Sequence, residues 1–205
     1  FLVYSMRQAI KENFILDVLQ NYTTVKEAFK LVKTTEENPE LVEGPAAKAL
    51  FRYYKANGFT ITQKTDMIMS NFLENGRYQI HGKGKAMVVA DSRANAVRYY
   101  LAIKKYISEH QAECAGTNVM IAFSGEVTLD DTPDVVYSEA SMNLNEKGKY
   151  ITTDKEFRKE FHSSRYNILV VANKYQTGFD EPLLHSMYVD KKLKNVTAVQ
   201  TLSRL

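Results

Sequence analysis

The spacing of apolar residues changes along the chain and divides it into two parts. Apolar side chains recur at helical intervals before residue 81, for example from Met6 to Gln20 and from Thr62 to Glu74. From His81 onward they collect in short runs that are separated by polar and amphipathic stretches. This pattern predicts a mostly helical connecting segment over residues 1–80, packed on an α/β domain over residues 81–205.

Four short apolar runs in the second part have the composition of strands that are buried on both faces. These runs are Met87–Ala90, Val119–Phe123, Ile168–Ala172 and Met187–Val189. Strands of this kind, separated by helices, are typical of a three-layer α/β domain with a mainly parallel sheet. Ligands of such domains collect at the carboxyl ends of the strands.

Amphipathic stretches between the runs supply the expected helices. The first, from Ala94 to Tyr106, has apolar positions that predict a buried face formed by Ala96, Val97, Tyr100, Leu101 and Ile103. A shorter helix is expected around Lys155 to His162. The polar stretch from Glu126 to Asp154 has few apolar anchors, which predicts a surface insertion.

Polar residues follow the first two predicted strands at the places where a ligand is expected. Ser92 and Arg93 follow the first strand, and Ser124 and Gly125 follow the second. Backbone amides at a helix N-terminus bind phosphate, and an arginine adds positive charge there. The structural alternative is that Ser92 is only a helix cap, Arg93 a solvated charge and Ser124–Gly125 an ordinary turn.

Three more candidates, Thr177, Gly178 and Asp180, follow the third strand. A glycine lets the backbone approach a phosphate or nucleotide closely, and a carboxylate accepts hydrogen bonds from ribose hydroxyls or from an arginine. The alternative is a tight turn in which Asp180 caps a helix containing Pro182.

Gln200 and Arg204 lie four residues apart near the end of the sequence, so on a helix they share one face. An arginine in a cleft between domains can stabilise the charge on a phosphoryl group that is being transferred. This spacing is common by itself, and it indicates a functional pair only in combination with the motifs upstream.

Composition limits the class of protein without selecting one function. The chain has 205 residues, 44% of them hydrophobic and 25% charged, as expected for an ordinary globular domain. The formal net charge of +3 permits a nucleic-acid partner. A single cysteine, Cys114, precludes an internal disulfide and favours the reducing cytoplasm, and no apolar run has membrane-spanning length.

Three kinds of site are missing from the sequence. The segment HGKGKAM is rich in glycine and lysine, but its spacing differs from that of a phosphate-binding loop, which favours a basic linker. No acidic magnesium-binding pair precedes the first strand. The four histidines are scattered without the spacing of metal ligands, so we expect no metal site.

Several sequence blocks resemble a known family. The G-x-D pattern ending at Asp180, followed about twenty residues later by Q-x-x-S-R, resembles motifs V and VI of superfamily 2 helicases and translocases. The blocks SMRQAIKENFILDVLQNYTT, GKGKAMVVADSRANAVRYYLAIKKY and ANKYQTGFDEPLLHSMYVDKKLKNVTAVQTLSRL look like consecutive signatures of the restriction subunit of type I restriction-modification enzymes. They cover about two fifths of the chain and follow that family's order.

The resemblance implies the second RecA-like domain of a motor that pumps double-stranded DNA using ATP, within a subunit that also carries a nuclease. It implies DNA contacts by Ser92, Arg93, Ser124, Gly125 and Thr177. It also implies nucleotide contacts by Gly178 and Asp180, and catalytic roles for Gln200 and Arg204.

Further expectations concern cofactors and partners. ATP and Mg²⁺ would be bound mainly by a first motor domain elsewhere in the polypeptide, and the isolated chain would therefore be inactive. The expected partners are double-stranded DNA, the first motor domain and nuclease domain of the same polypeptide, and the methyltransferase and specificity subunits. The final arginine of motif VI would fall just beyond Leu205, so the chain looks like a fragment.

Two other interpretations stay open at this point. One is the equivalent domain of another superfamily 2 DNA translocase or helicase. The other is a non-catalytic α/β module that binds nucleic acid or a protein partner.

Overall fold

The computed structural model describes residues 61–175 and 179–192. The chain divides into two compact units, Phe1–Gly58 and Phe59–Leu205, and the described residues all belong to the second. The helices expected before residue 61 lie outside the described residues. The division expected between residues 80 and 81 stays a prediction.

A parallel sheet of four strands forms the centre of the second unit. Its strands are β1 (Lys85–Ala90), β2 (Val119–Ala122), β5 (Ile168–Val171) and β6 (Leu184–Asp190), in the spatial order β2-β5-β1-β6. The register places Val88 of β1 beside Val170 of β5 and Tyr188 of β6. Strands β3 (Glu126–Leu129) and β4 (Thr132–Ser138) form a separate antiparallel hairpin.

The described residues also include four helices. These are α1 (Ile61–Glu74), α2 (Arg93–Glu109), α3 (Glu139–Met142) and α4 (Asp154–His162). A 3₁₀ turn, Gly76–Tyr78, and a one-turn segment, Gln79–Gly82, lie between α1 and β1.

Helices cover both faces of the sheet. On one face Ala86 and Val88 of β1 pack in one cluster with residues of α1 and α2. On the other face Met87 and Val89 pack with Phe157 and other residues of α4. The alternation follows from the period of two along a strand. The predicted three-layer α/β fold with a mainly parallel sheet is therefore confirmed.

All four predicted strands are present, and the predicted helices between residues 61 and 175 form with small changes of length. One predicted core position is wrong, because Leu101 on α2 is 39% exposed whereas Tyr99 is fully buried. The buried stripe of α2 follows Ala96, Tyr99, Tyr100 and Ile103. Leu101 lies five residues after Ala96, about 140° around the helix, and so falls outside the stripe.

The polar stretch after β2, predicted to be a surface insertion, contains regular secondary structure. It folds into the β3–β4 hairpin and α3, whose Ser138 and Ser141 side chains form a capping box. Val135 and Val136 on β4 are exposed, so the hairpin does lie at the surface. Leu129 of β3 is buried and anchors the hairpin to the core cluster that contains residues of α1 and α2.

Lys85 opens β1 and is a buried cation with 2% exposure. Its Nζ donates hydrogen bonds to the carbonyl oxygens of Phe161, of Ser163 at 2.6 Å and of Tyr166 at 2.7 Å. These bonds fasten the C-terminal end of α4, where unpaired carbonyls attract positive charge, to the central strand. Burial lowers the pKa of Lys85, and the charge of Glu181 partly offsets this effect. The interpretation of this segment as a basic linker is therefore wrong at Lys85.

We predict that Lys85→Met lowers the free energy of unfolding by about 2–4 kcal/mol, because buried carbonyl oxygens at the end of α4 lose their donor. The exposed Lys83 provides a matched control. Lys83→Met should change the free energy by less than about 0.5 kcal/mol. Urea denaturation measures both, and equal effects of the two substitutions would contradict the assigned role of Lys85.

Candidate nucleic-acid interface

The carboxyl ends of the four parallel strands bring several polar segments to one edge of the sheet. Asp91, Ser92 and Arg93 follow β1, and Ser124 and Gly125 come shortly after β2. Asn173 and Lys174 come shortly after β5, and Lys191 follows β6. This edge is called the carboxyl edge below.

Ser92 is the N-cap of α2. Its backbone is extended, and its Oγ accepts a hydrogen bond from the backbone N–H of Asn95 at 3.2 Å. The side-chain amide of Asn95 in turn donates to Asp91 Oδ1 at 2.7 Å. The predicted helix cap is thus confirmed, and Arg93, the first helical residue, is exposed.

Arg93 joins the two turns that the sequence identified separately. Its Nη1 donates to the carbonyl oxygen of Ser124 at 3.2 Å. Gly125 has a positive φ of 76°, and a Cβ added there would lie 3.0 Å from the same Nη1. Glycine is therefore suited to this position in two respects, since it adopts the left-handed conformation easily and leaves room for the guanidinium group. The structure brings Arg93, Ser124 and Gly125 together beside Ser92.

The outer edge of β2, beside which the described residues place no further strand, is covered in part by the side chain of Asn143. Asn143 accepts a hydrogen bond from the backbone N–H of Ile121 at 2.9 Å and donates to its carbonyl oxygen at 2.8 Å. It also donates to the carbonyl of Glu139 at 2.7 Å, and only 2% of Asn143 is exposed. Exposed strand edges can pair with other chains, and Asn143 satisfies both backbone groups of Ile121 at this edge.

Glu139 and Lys174 form an ion pair beside the same strand. Lys174 Nζ lies 2.6 Å from Glu139 Oε1 and 3.6 Å from Asp154 Oδ1. The second carboxylate oxygen of Glu139 accepts a hydrogen bond from the backbone N–H of Phe123 at 3.0 Å. Sequence reasoning did not identify Glu139 or Lys174, because each becomes meaningful only once β2 and β5 are known to be neighbours.

The segment after β5 is held in an uncommon backbone conformation. Asn173 and Tyr175 have positive φ values of 61° and 60°. Asn173 accepts a hydrogen bond from Lys191 Nζ at 2.8 Å, and the Tyr175 hydroxyl donates to Asp154 Oδ1. Positive φ values outside glycine are concentrated at functional sites, where surrounding contacts hold them in place.

The end of β6 is fixed by a polar cluster around Asp190. Lys64 Nζ lies 2.7 Å from the carboxylate, and the hydroxyl of the buried Tyr99 donates to it at 2.6 Å. Burial raises the pKa of Tyr99 above its usual value, and the hydrogen bond to Asp190 adds to this effect. Tyr99 therefore remains protonated and ties α2 to β6.

Asp180 lies away from the carboxyl edge. It is exposed and immediately precedes Glu181, which contacts His162 at the end of α4 at 3.2 Å. Leu183, shortly after it, accepts a hydrogen bond from the backbone N–H of Lys85 at the start of β1. The alternative in which Asp180 caps a helix is wrong, because a turn and then β6 follow.

The other candidates near the end of the chain, Thr177, Gly178, Gln200 and Arg204, lie outside the described residues. Within residues 61–175 and 179–192, no group of three or more His, Cys, Asp or Glu side chains is arranged to hold a metal ion. Over the same ranges, no helix combines the length and apolar character needed to cross a membrane.

Comparisons with known proteins agree on one class. Residues 136–205 match the family model described as type I restriction enzyme subunit R domain 3. The chain is 29% identical, over 60% of its length, to the putative type I restriction enzyme MjaVIIP endonuclease subunit of Methanocaldococcus jannaschii, of which it covers 11%. Over 98% of its length it is 25% identical to the type I restriction enzyme SsaAORF53P endonuclease subunit of Staphylococcus saprophyticus, of which it covers 22%. The chain thus spans a small part of these relatives.

We predict that Asn143→Leu lowers the free energy of unfolding by about 2–4 kcal/mol, because the buried N–H and C=O of Ile121 lose their partners. Asn75→Leu is the matched control, since Asn75 is exposed and its side chain makes no capping hydrogen bond. That substitution should lower the free energy of unfolding by less than about 0.5 kcal/mol. Chemical denaturation of the two variants tests the difference, and a neutral Asn143→Leu would show that the edge of β2 needs no side-chain partner.

Proposed function

We propose that this chain belongs to the R-subunit family of type I restriction enzymes and is part of the second RecA-like domain of a DNA-translocating motor. The single structural observation that supports this function most is the contact of Arg93 with the Ser124–Gly125 turn at the carboxyl edge. The match to R subunits favours this proposal over another superfamily 2 translocase and over a non-catalytic module.

In this proposal the carboxyl edge contacts the phosphate backbone of double-stranded DNA. The exposed guanidinium of Arg93 and the first backbone amides of α2 offer donors and positive charge. The backbone of Ser124 and Gly125 lies beside them, and Thr177 follows the neighbouring strand β5. Such contacts neutralise phosphates without reading bases, as a motor that moves along any sequence requires.

We assign the nucleotide contacts to a different group of residues. Asp180 presents an exposed carboxylate that is suited to accept hydrogen bonds from ribose hydroxyls, with Gly178 nearby in sequence. Gln200 and Arg204 are proposed to act on the phosphate groups of ATP. Mg²⁺, which neutralises phosphate charge, is proposed to be held mainly by a first motor domain of the same polypeptide. The isolated chain is accordingly proposed to be inactive.

The complete enzyme is proposed to be a cytoplasmic, ATP-dependent type I site-specific deoxyribonuclease. Its partners would be double-stranded DNA, the first motor domain and nuclease domain of the same polypeptide, and the methyltransferase and specificity subunits. Recognition of the DNA site would then belong to another subunit, because the contacts proposed here are with phosphates only.

We predict that Arg93→Ala in the full-length subunit weakens DNA binding about fivefold to tenfold, equally for all sequences. In a plot of log affinity against log salt concentration, the slope should become shallower by about one unit. Arg77→Ala is the matched control, because Arg77 also donates to a backbone carbonyl, that of Glu113 at 2.8 Å, but precedes β1. Fluorescence anisotropy across a salt series measures both variants.

A loss of affinity confined to particular DNA sequences would contradict the phosphate contact at Arg93. So would equal losses for Arg93→Ala and Arg77→Ala.

We predict that Arg204→Ala reduces DNA-stimulated ATP hydrolysis by about a thousandfold or more, the typical contribution of an arginine finger. Asp180→Ala should have a smaller effect, because it weakens nucleotide placement without removing positive charge. Phosphate release and cleavage of unmodified DNA should be measured on the full-length subunit in its complex, with circular dichroism as the control for folding. Near-normal ATP hydrolysis by a folded Arg204→Ala subunit would refute the assignment.

A further inference from the structure

We propose that Glu139 is a positioning residue, which holds the Phe123–Gly125 turn in the conformation that contacts DNA, and that Lys174 fixes the Glu139 carboxylate. The inference rests on the proposed function, since it deepens the role of the carboxyl edge. Neither residue is placed on the DNA itself.

The first step is the contact between Glu139 and the turn. Phe123 directly follows the last residue of β2, and its N–H donates to Glu139 Oε2 at 3.0 Å. The next residue, Ser124, offers its carbonyl oxygen to Arg93 at 3.2 Å. The turn is therefore held at two points. The N–H of Phe123 is bonded to Glu139, and the carbonyl oxygen of Ser124 is bonded to Arg93.

The second step is that each oxygen of the Glu139 carboxylate has a different partner. Oε1 lies 2.6 Å from Lys174 Nζ, while Oε2 accepts the hydrogen bond from the Phe123 N–H in the turn. The side chains of the pair are 25% and 20% exposed, so solvent screens this contact less than it would screen a pair at the surface. A carboxylate held at one oxygen presents the other in a fixed position, and hydrogen bonds to charged groups are the stronger class.

The third step is that other side chains cap α3 and dock it on the sheet. The helix is capped by Ser138 and Ser141, and it is docked on β2 by Asn143. The Glu139 carboxylate is thus available for the turn. Lys174 comes shortly after β5, two residues after Ala172. The ion pair therefore also connects the segment that follows β5 with the turn that follows β2.

The test uses the full-length subunit, with two measurements on each variant. Hydrogen exchange followed by mass spectrometry reports on a peptide covering Phe123–Gly125, and fluorescence anisotropy reports DNA affinity. Glu139→Leu should speed exchange of the Phe123 amide by about tenfold and weaken DNA binding by about tenfold, since the amide loses a charged acceptor.

Glu139→Gln distinguishes the two functions of the carboxylate. Its side-chain oxygen can still accept from Phe123, whereas the charge that pairs with Lys174 is lost. We expect both measurements to stay closer to the parent than in Glu139→Leu. The matched control is Arg165→Met, which breaks a part-buried ion pair at the opposite end of the strands, Arg165 with Glu160 at 3.8 Å, and should leave both measurements unchanged.

A charge exchange separates positioning from general stabilisation. Glu139→Lys combined with Lys174→Glu re-forms an ion pair but leaves Phe123 without an acceptor, because an ammonium only donates. DNA affinity should therefore remain about tenfold weakened even if thermal stability recovers.

Three results would overturn the inference. They are unchanged exchange at Phe123 in Glu139→Leu, recovery of DNA affinity by the charge exchange, and an Arg165→Met variant that weakens DNA binding as much as Glu139→Leu. Arg93→Ala serves as the reference for the proposed function itself. If Arg93→Ala leaves DNA affinity intact, the DNA contact is wrong, and the exchange measurement still shows whether Glu139 fixes the turn.

Discussion

The ammonium group of Lys85 connects the centre of the sheet to the layer that covers it. A buried cation is costly, and here backbone carbonyls at the end of α4 and in the segment that follows it offset the cost. Lys85 begins β1, which lies between β5 and β6. The C-terminal end of α4 is therefore fixed on the central strand, and the position of the whole helix along the sheet follows from it.

Fixing one end of α4 also places the other end. The helix has nine residues and is about 13 Å long, so Asp154 at its start lies toward the carboxyl edge. There Asp154 contacts Tyr175 and Lys174, and Lys174 contacts Glu139. The arrangement of the proposed DNA-binding edge thus depends on an interaction at the opposite end of the strands.

The sequence alone predicts the helices and strands, but it does not predict the contacts between them. β-Branched runs predict the buried strands because burial on both faces removes polar positions, and Ser92 is recognisable as a cap because capping is local. The roles of Glu139, Asn143 and Lys174 depend on β5 lying between β2 and β1, which no local pattern encodes. Leu101 was misplaced for a related reason, since the packing of α2 selects which apolar residues of the helix are buried.

Aromatic packing fills the region between the carboxyl edge and the segment that carries Asp180. If DNA is bound beside Arg93 and nucleotide beside Asp180, the two ligands lie at opposite ends of the strands. Between these ends the ring of Tyr175 packs on that of Phe179 with centroids 4.7 Å apart, and each ring also packs on a phenylalanine of α4, Phe157 or Phe161. Closely packed rings cannot shift singly without opening a void. This aromatic row is therefore a contiguous packed connection along the strands, in which each ring holds its neighbours in place.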